Sequence, residues 1–186
     1  MNDYLNCTDV VLSEISEALR LVSCEDAEEF VEMICSAKKV FVIGVGRVLL
    51  MLQAFVKRLN HLGITAYYVG AVEEPAITPD DILIVASGSG ESAIPLVITE
   101  IAKKHNAKVI HIGASENSPI GRTVDRFIRI PSRTKSNRKG EIQSMQPMTS
   151  LFEQSLLLFC DIVALMIIRK NNLDINELWQ YHANLE

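Results

Sequence analysis

The sequence predicts an α/β fold, a three-layer doubly wound sandwich around a five-stranded parallel sheet in the order 2-1-3-4-5. Three observations predict it. Short apolar runs recur near 39–44, 64–69, 82–86, 108–113 and 126–130, without the alternation of a half-exposed sheet, as strands buried on both faces require. Helix-forming stretches alternate with these runs, and parallel strands need such crossovers, which are nearly always right-handed. The first and third runs empty into turns rich in glycine, and in the proposed order those two strands are neighbours whose turns share one crevice.

Composition bounds the answer before any motif does. At 186 residues, 48% hydrophobic and 22% charged, the chain suits a single domain over 1–186 with an ample core. A net charge of −5 opposes nucleic-acid binding. The one dense basic cluster, Arg133 to Lys139 with Lys135 and Arg138, sits in a polar stretch and reads as a solvated loop, or as a rim drawing in an anionic ligand. Four cysteines, at 7, 24, 35 and 160, show no metal-ligand spacing, and the last three read as small buried hydrophobes in a reducing compartment. No basic-then-apolar leader opens the sequence, and the longest apolar run, Leu156 to Ile168, is interrupted by Asp161. A cytoplasmic protein with no membrane partner and no metal is the expectation.

From Asp3 to Val22 the apolar residues follow a helical stripe, and a second helix is expected from a Ser23 cap to about Ala37, so that 1–37 forms an N-terminal helical arm. Such an arm packs on a partner subunit or on its own sheet. The first strand runs into Gly44-Val45-Gly46-Arg47 and a helix to Leu62. A dinucleotide site is disfavoured there, because Leu49 stands where a third glycine is needed. Gly63 closes the helix and the second strand follows.

The third strand, Ile82 to Ala86, leads into Ser87-Gly88-Ser89-Gly90-Glu91-Ser92 and a helix to His105. The glycines allow close backbone approach, the helix start presents positive N–H groups, and three hydroxyls add donors without bulk. Such a turn suits a phosphate, and the missing lysine argues against a nucleotide P-loop. After the fourth strand, Pro119 suits the start of a short helix. The polar stretch 131–147 reads as a mobile segment, and 148–186 as C-terminal helices: a long apolar one to about Lys170, and another near Asp174 to Gln180. Ser150 and Glu153 have capping-box spacing. His61 and His111 read as structural, and His105 as a helix-end cation.

The serine turn resembles the phosphate loop of sugar isomerase (SIS) domains. Gly44 to Arg47, Arg58 to Gly63, Gln146 to Gln154 and the closing His182 to Glu186 together resemble the 6-phospho-3-hexuloisomerase family. That resemblance implies interconversion of 3-hexulose 6-phosphate and fructose 6-phosphate, in the ribulose monophosphate route, without cofactor or metal. It also implies a homo-oligomer, a tetramer or dimer, with a small-molecule sugar phosphate as partner. Gly46, Arg47, Ser87, Gly88, Ser89, Gly90 and Ser92 would bind substrate, Glu153 would take the C2 proton, and His182 would assist ring opening or shuttle a proton. The sequence departs from the family at Val48-Leu49, where Ser-Gly is usual, and at Thr149, where Gly is usual. Two alternatives follow from the first departure: a non-catalytic phosphosugar sensor, or an isomerase for a different sugar phosphate.

Overall fold

The computed structural model describes residues 2–135 and 139–185. Two helices come first, α1 (Asp3–Arg20) and α2 (Cys24–Ser36). Asn2 and Ser23 cap them, their side chains accepting from the N–H of Tyr4 and of Asp26, which relieves donors that a helix start leaves unpaired. There follow β1 (Val40–Ile43), α3 (Arg47–His61), β2 (Ala66–Tyr68), β3 (Ile82–Ala86), α4 (Ala93–Lys104), β4 (Lys108–Gly113), β5 (Arg126–Arg129) and α5 (Ser150–Lys170).

All strand pairs are parallel, in the order β2-β1-β3-β4-β5. Ile43 pairs with Val85, and Ala86 with Ile112, so the carboxyl ends of the central strands lie level and their turns leave one edge together. Alternate residues of each strand face opposite layers. Val42, Ile84 and Ile112 join the larger core with α1, α2, α3 and α5; Ile43, Val85 and Val109 join the smaller one under α4. The N-terminal arm therefore covers its own sheet, with Ile15 and Ala18 of α1 in the larger core. Phe30 and Phe159 stack at 5.8 Å and tie α2 to α5. By length and composition α5 is apolar enough to cross a membrane, but its residues from Leu151 to Ile167 are buried around much of its circumference, as in a core helix.

Three expectations change. Pro119 opens only turns, in which Arg122 N–H reaches Ser118 O and Thr123 N–H reaches Ile120 O, and no helix propagates before β5. The last helix is a short 3-10 element, Glu177–Tyr181, after Asp174 and Asn176 form a side-chain turn. Of the cysteines placed in helices, only Cys160 is buried; Cys24 opens α2 beside acidic residues and is exposed. The described residues of the polar segment 131–147 make side-chain hydrogen bonds on either side of 136–138. Glu141 accepts from Thr134 N–H and hydroxyl at 2.8 and 2.6 Å, while Glu14 of α1 accepts from Ser144, Met145 and Gln146 at 2.6–2.9 Å. Burial works to raise the Glu14 pKa, and those three hydrogen bonds outweigh it, holding the carboxyl below its usual range. Of the expected basic cluster, Arg138 lies outside the described residues.

Candidate functional site

Three chain segments meet at the carboxyl edge of the sheet: the turn after β1, the turn after β3, and the start of α5. Ser87 is buried, and its hydroxyl accepts from Gly90 N–H at 3.1 Å and lies 3.2 Å from the Ser92 hydroxyl. The carbonyls of this turn point backwards. Gly88 O accepts from Ala114 N–H and Gly90 O from Ile120 N–H, at 3.0 and 3.1 Å, which fastens the turn to the chain beyond β4. Gly90 has φ +66°, and a Cβ there would lie 2.1 Å from the Ser118 hydroxyl, so both backbone and space demand glycine. The N–H groups of Gly88, Ser89 and Ser92 donate to no acceptor among the described residues. The Ser92 side chain does not cap α4, so the first N–H groups of that helix also remain available. Backbone donors without acceptors, hydroxyls and a helix's positive end thus lie within one turn, an arrangement that favours an anion.

The turn after β1 supplies Gly46, at φ +58°, and Arg47, the first residue of α3. Val48, one of the residues replacing the family's Ser-Gly, is partly buried against the larger core, and a Cβ on Gly44 would lie 3.0 Å from its methyl.

The start of α5 bridges the two turns. The Phe152 ring lies against Gly88, where a Cβ would come within 3.3 Å of it, and Glu153 pairs with Arg47. The expected capping box does not form: Thr149 occupies the cap position, Ser150 is already helical, and Glu153 lies a residue too far along to reach back. Glu153 is instead a buried carboxylate with two unlike oxygens. Oε1 accepts from the Thr149 hydroxyl at 2.8 Å. Oε2 lies 3.0 Å from Arg47 Nε, an ion pair whose geometry makes no hydrogen bond, and it has no other hydrogen-bond partner among the described residues. Thr149 has φ −112°, so this position needs no glycine, and its hydroxyl orients the acid.

His182 is elsewhere. Its ring stacks on His61 at 5.3 Å and meets Trp179 at 5.4 Å, at the far end of α3 from Arg47. The length of α3 puts the two ends about 21 Å apart. His182 lines an apolar groove of about 420 Å³ with Leu165, Ile168, Ile175 and Trp179. The structure thus brings together Gly46, Arg47, Ser87 to Ser92 and Glu153, and leaves His182 outside. Two further residues lie at the site: Thr149, whose hydroxyl donates to Glu153, and His111, buried as a structural residue is, with its ring against the Ser87 carbonyl.

A doubly wound sheet whose third strand ends in a serine-glycine turn, overlaid by a later helix start, defines an α/β domain with an anion-binding type of turn at its carboxyl edge. The SIS domain family model matches residues 33–158, and the chain belongs to that family. Its relatives narrow the comparison. It is 36% identical to the 3-hexulose-6-phosphate isomerase of Bacillus subtilis, over 95% of both chains, and 33% identical to that of Mycobacterium gastri, over 100% of this chain and 92% of the other. A crystal structure from Methanococcus jannaschii, from which a 3-hexulose-6-phosphate isomerase function was inferred, superposes with a TM-score of 0.85 at 30% identity, over 97% of this chain and 99% of that one.

Proposed function

We propose that this protein is a phosphosugar isomerase that interconverts 3-hexulose 6-phosphate and fructose 6-phosphate through a cis-enediolate. The observation that carries the reading is Glu153, a buried carboxylate with one oxygen anchored and the other lacking a hydrogen bond, one residue from the side chain that packs on the phosphate turn. Moving a carbonyl from C3 to C2 takes a proton from C2 and returns one to C3, so one carboxylate on the face of an enediolate serves both steps. Oε2 is the base, and Thr149 holds the other oxygen. The N–H groups and hydroxyls at Ser87 to Ser92 bind the 6-phosphate, which fixes the reacting carbons from a distance. Arg47, more than half exposed, is free to turn from Glu153 to substrate oxygens.

The transfer between O2 and O3 needs a second proton carrier, and His182 is our assignment. Because α3 separates it from Glu153 within one copy of the chain, it acts on the site of a neighbouring copy. Support comes from the surface beside it. Leu158, Ile162 and Leu165 form an exposed apolar stripe on α5, next to the groove that holds exposed Ile175 and Trp179. An unpartnered face of that kind suits a subunit contact.

The test is an NMR assay of purified protein with fructose 6-phosphate in deuterated water. Deuterium entering the carbon skeleton, with a new ketose, and loss of both in Glu153→Gln, is the expected result. Exchange that survives in Glu153→Gln would remove Glu153 as the base. Ligand-induced shifts without exchange would favour a phosphosugar sensor or a different sugar phosphate.

A further inference from the structure

Beneath the serine turn lies a histidine that the reaction does not use. His111 is the fourth residue of β4, paired in register with Val85, and it is fully buried. Its Nε2 lies 3.0 Å from the Ser87 carbonyl oxygen. A carbonyl only accepts, so Nε2 carries the proton, and the ring is a neutral donor. Nδ1 is buried without a hydrogen-bond partner among the described residues. Phe127 of β5 flanks the ring, with centroids 5.2 Å apart.

The neighbouring glycines make room for this ring. A Cβ on Gly113, two residues along the same face of β4, would lie 2.7 Å from Nε2 and 2.8 Å from the Ser87 carbonyl. A Cβ on Gly90 would lie 3.0 Å from the imidazole. A polar ring whose second nitrogen goes unpaired costs stability, and a leucine would fill the space without that cost. What the ring alone supplies is a donor to the carbonyl at the head of the turn. Ser87 O also accepts from Gly90 N–H, so the imidazole fixes the peptide whose other end, the Gly88 N–H, donates to no acceptor among the described residues.

We infer that His111 is the positioning residue of the phosphate turn, holding the Ser87–Gly88 peptide so that its N–H points at the bound phosphate, with Gly113 kept small to admit it. This deepens the proposed function and rests on the reading of Ser87 to Ser92 as the phosphate site. Burial keeps the imidazole neutral by pushing its pKa down to about 4, against the raising effect of the Ser87 carbonyl, so the donor is constant across the neutral range.

The experiment compares wild type, His111→Leu, His111→Gln and Gly113→Ala, by titration with inorganic phosphate followed at the Gly88 and Ser89 amides, and by KM and kcat. Leucine should weaken phosphate binding and raise KM about tenfold while kcat stays within about threefold. Glutamine, whose amide reaches as far as Nε2, should restore binding, and Gly113→Ala should mimic leucine by displacing both ring and carbonyl. Phosphate binding equal to wild type in both His111→Leu and Gly113→Ala would overturn the inference while leaving the phosphate site intact. Wild-type protein that binds no phosphate would remove both. Should leucine fail to fold, the glutamine and alanine variants decide the matter by the same readout.

Discussion

The two ends of α3 are finished to different degrees. At the amino end, Arg47 meets Glu153, Phe152 closes on Gly88, and the serine turn is fastened by its carbonyls to the chain beyond β4. At the carboxyl end, His61 stacks on His182 beside an open groove, and the neighbouring apolar residues Ile175 and Trp179 are exposed. The proposed phosphate binding and proton transfer at the first end would need atoms fixed to a fraction of an ångström, and the sheet edge provides a frame for that. The second end is built from a short 3-10 element and a tail whose apolar residues Ile175 and Trp179 face outward. Under the proposed function, the first end is completed by the fold itself and the second by a neighbouring copy of the chain.

The strongest way to break this comparison is a mixing experiment. Glu153→Gln should lower kcat on the order of 10³-fold and His182→Ala on the order of 10²-fold, each with the fold retained by circular dichroism. When the two inactive proteins are unfolded and refolded together, random pairing gives about a quarter of the sites both wild-type residues, so activity should return to about that share. Recovery would place His182 across a subunit boundary. Mixtures as inactive as their parents would require both residues to act within one copy.

The buried end should also carry its own pH signature. His111 has a folded pKa of about 4 against an unfolded value of 6.5. Between those values the unfolded chain binds a proton that the folded one refuses, so the stability present above pH 6.5 is lost as the pH falls toward 4. The loss should amount to about 3 kcal/mol. Urea unfolding at pH 7 and pH 4.5, compared with His111→Leu, isolates this contribution; an equal pH slope in both proteins would assign it to other groups.

The smallest expected effect sharpens the picture at Glu153. Thr149→Val removes the hydroxyl from Oε1 while keeping shape, and kcat should fall about three- to tenfold with KM unchanged. Thr149→Ser should recover most of that loss. An unaltered kcat in the valine variant would mean that the helix start alone orients the carboxylate.

Much of the fold was legible in the residues. The strands Ile82–Ala86 and Lys108–Gly113 coincide with uninterrupted apolar runs, because burial on both faces leaves no room for polar alternation. The Ser23 cap and the serine turn were equally local, being decided by side chains and neighbouring N–H groups within a few residues. Other features were not local. The Pro119 segment has good helix-start chemistry, yet it must span a short gap to β5, and its N–H groups are committed to acceptors on Gly90 and Ser118: Ile120 donates to Gly90 O, Arg122 to Ser118 O and Gly121 to the Ser118 hydroxyl. Whether Glu153 caps its own helix depended on a one-residue choice between Thr149 and Ser150, which the preceding turn makes through Met148 at φ +57°.

By itself the sequence determined the parallel sheet, its order, and a glycine-serine turn after the third strand whose chemistry suits an anion, while Glu153 was singled out by the family resemblance. The sheet, its order and the turn follow from apolar runs, glycine positions and side-chain chemistry, which are properties of short stretches. Only the tertiary structure decided that Arg47 and Glu153, over a hundred residues apart, form a pair, that His111 lies under Ser87, and that His182 lies at the other end of α3. Such placements depend on how strands register and where helices end, and a distance between segments is written in no single segment.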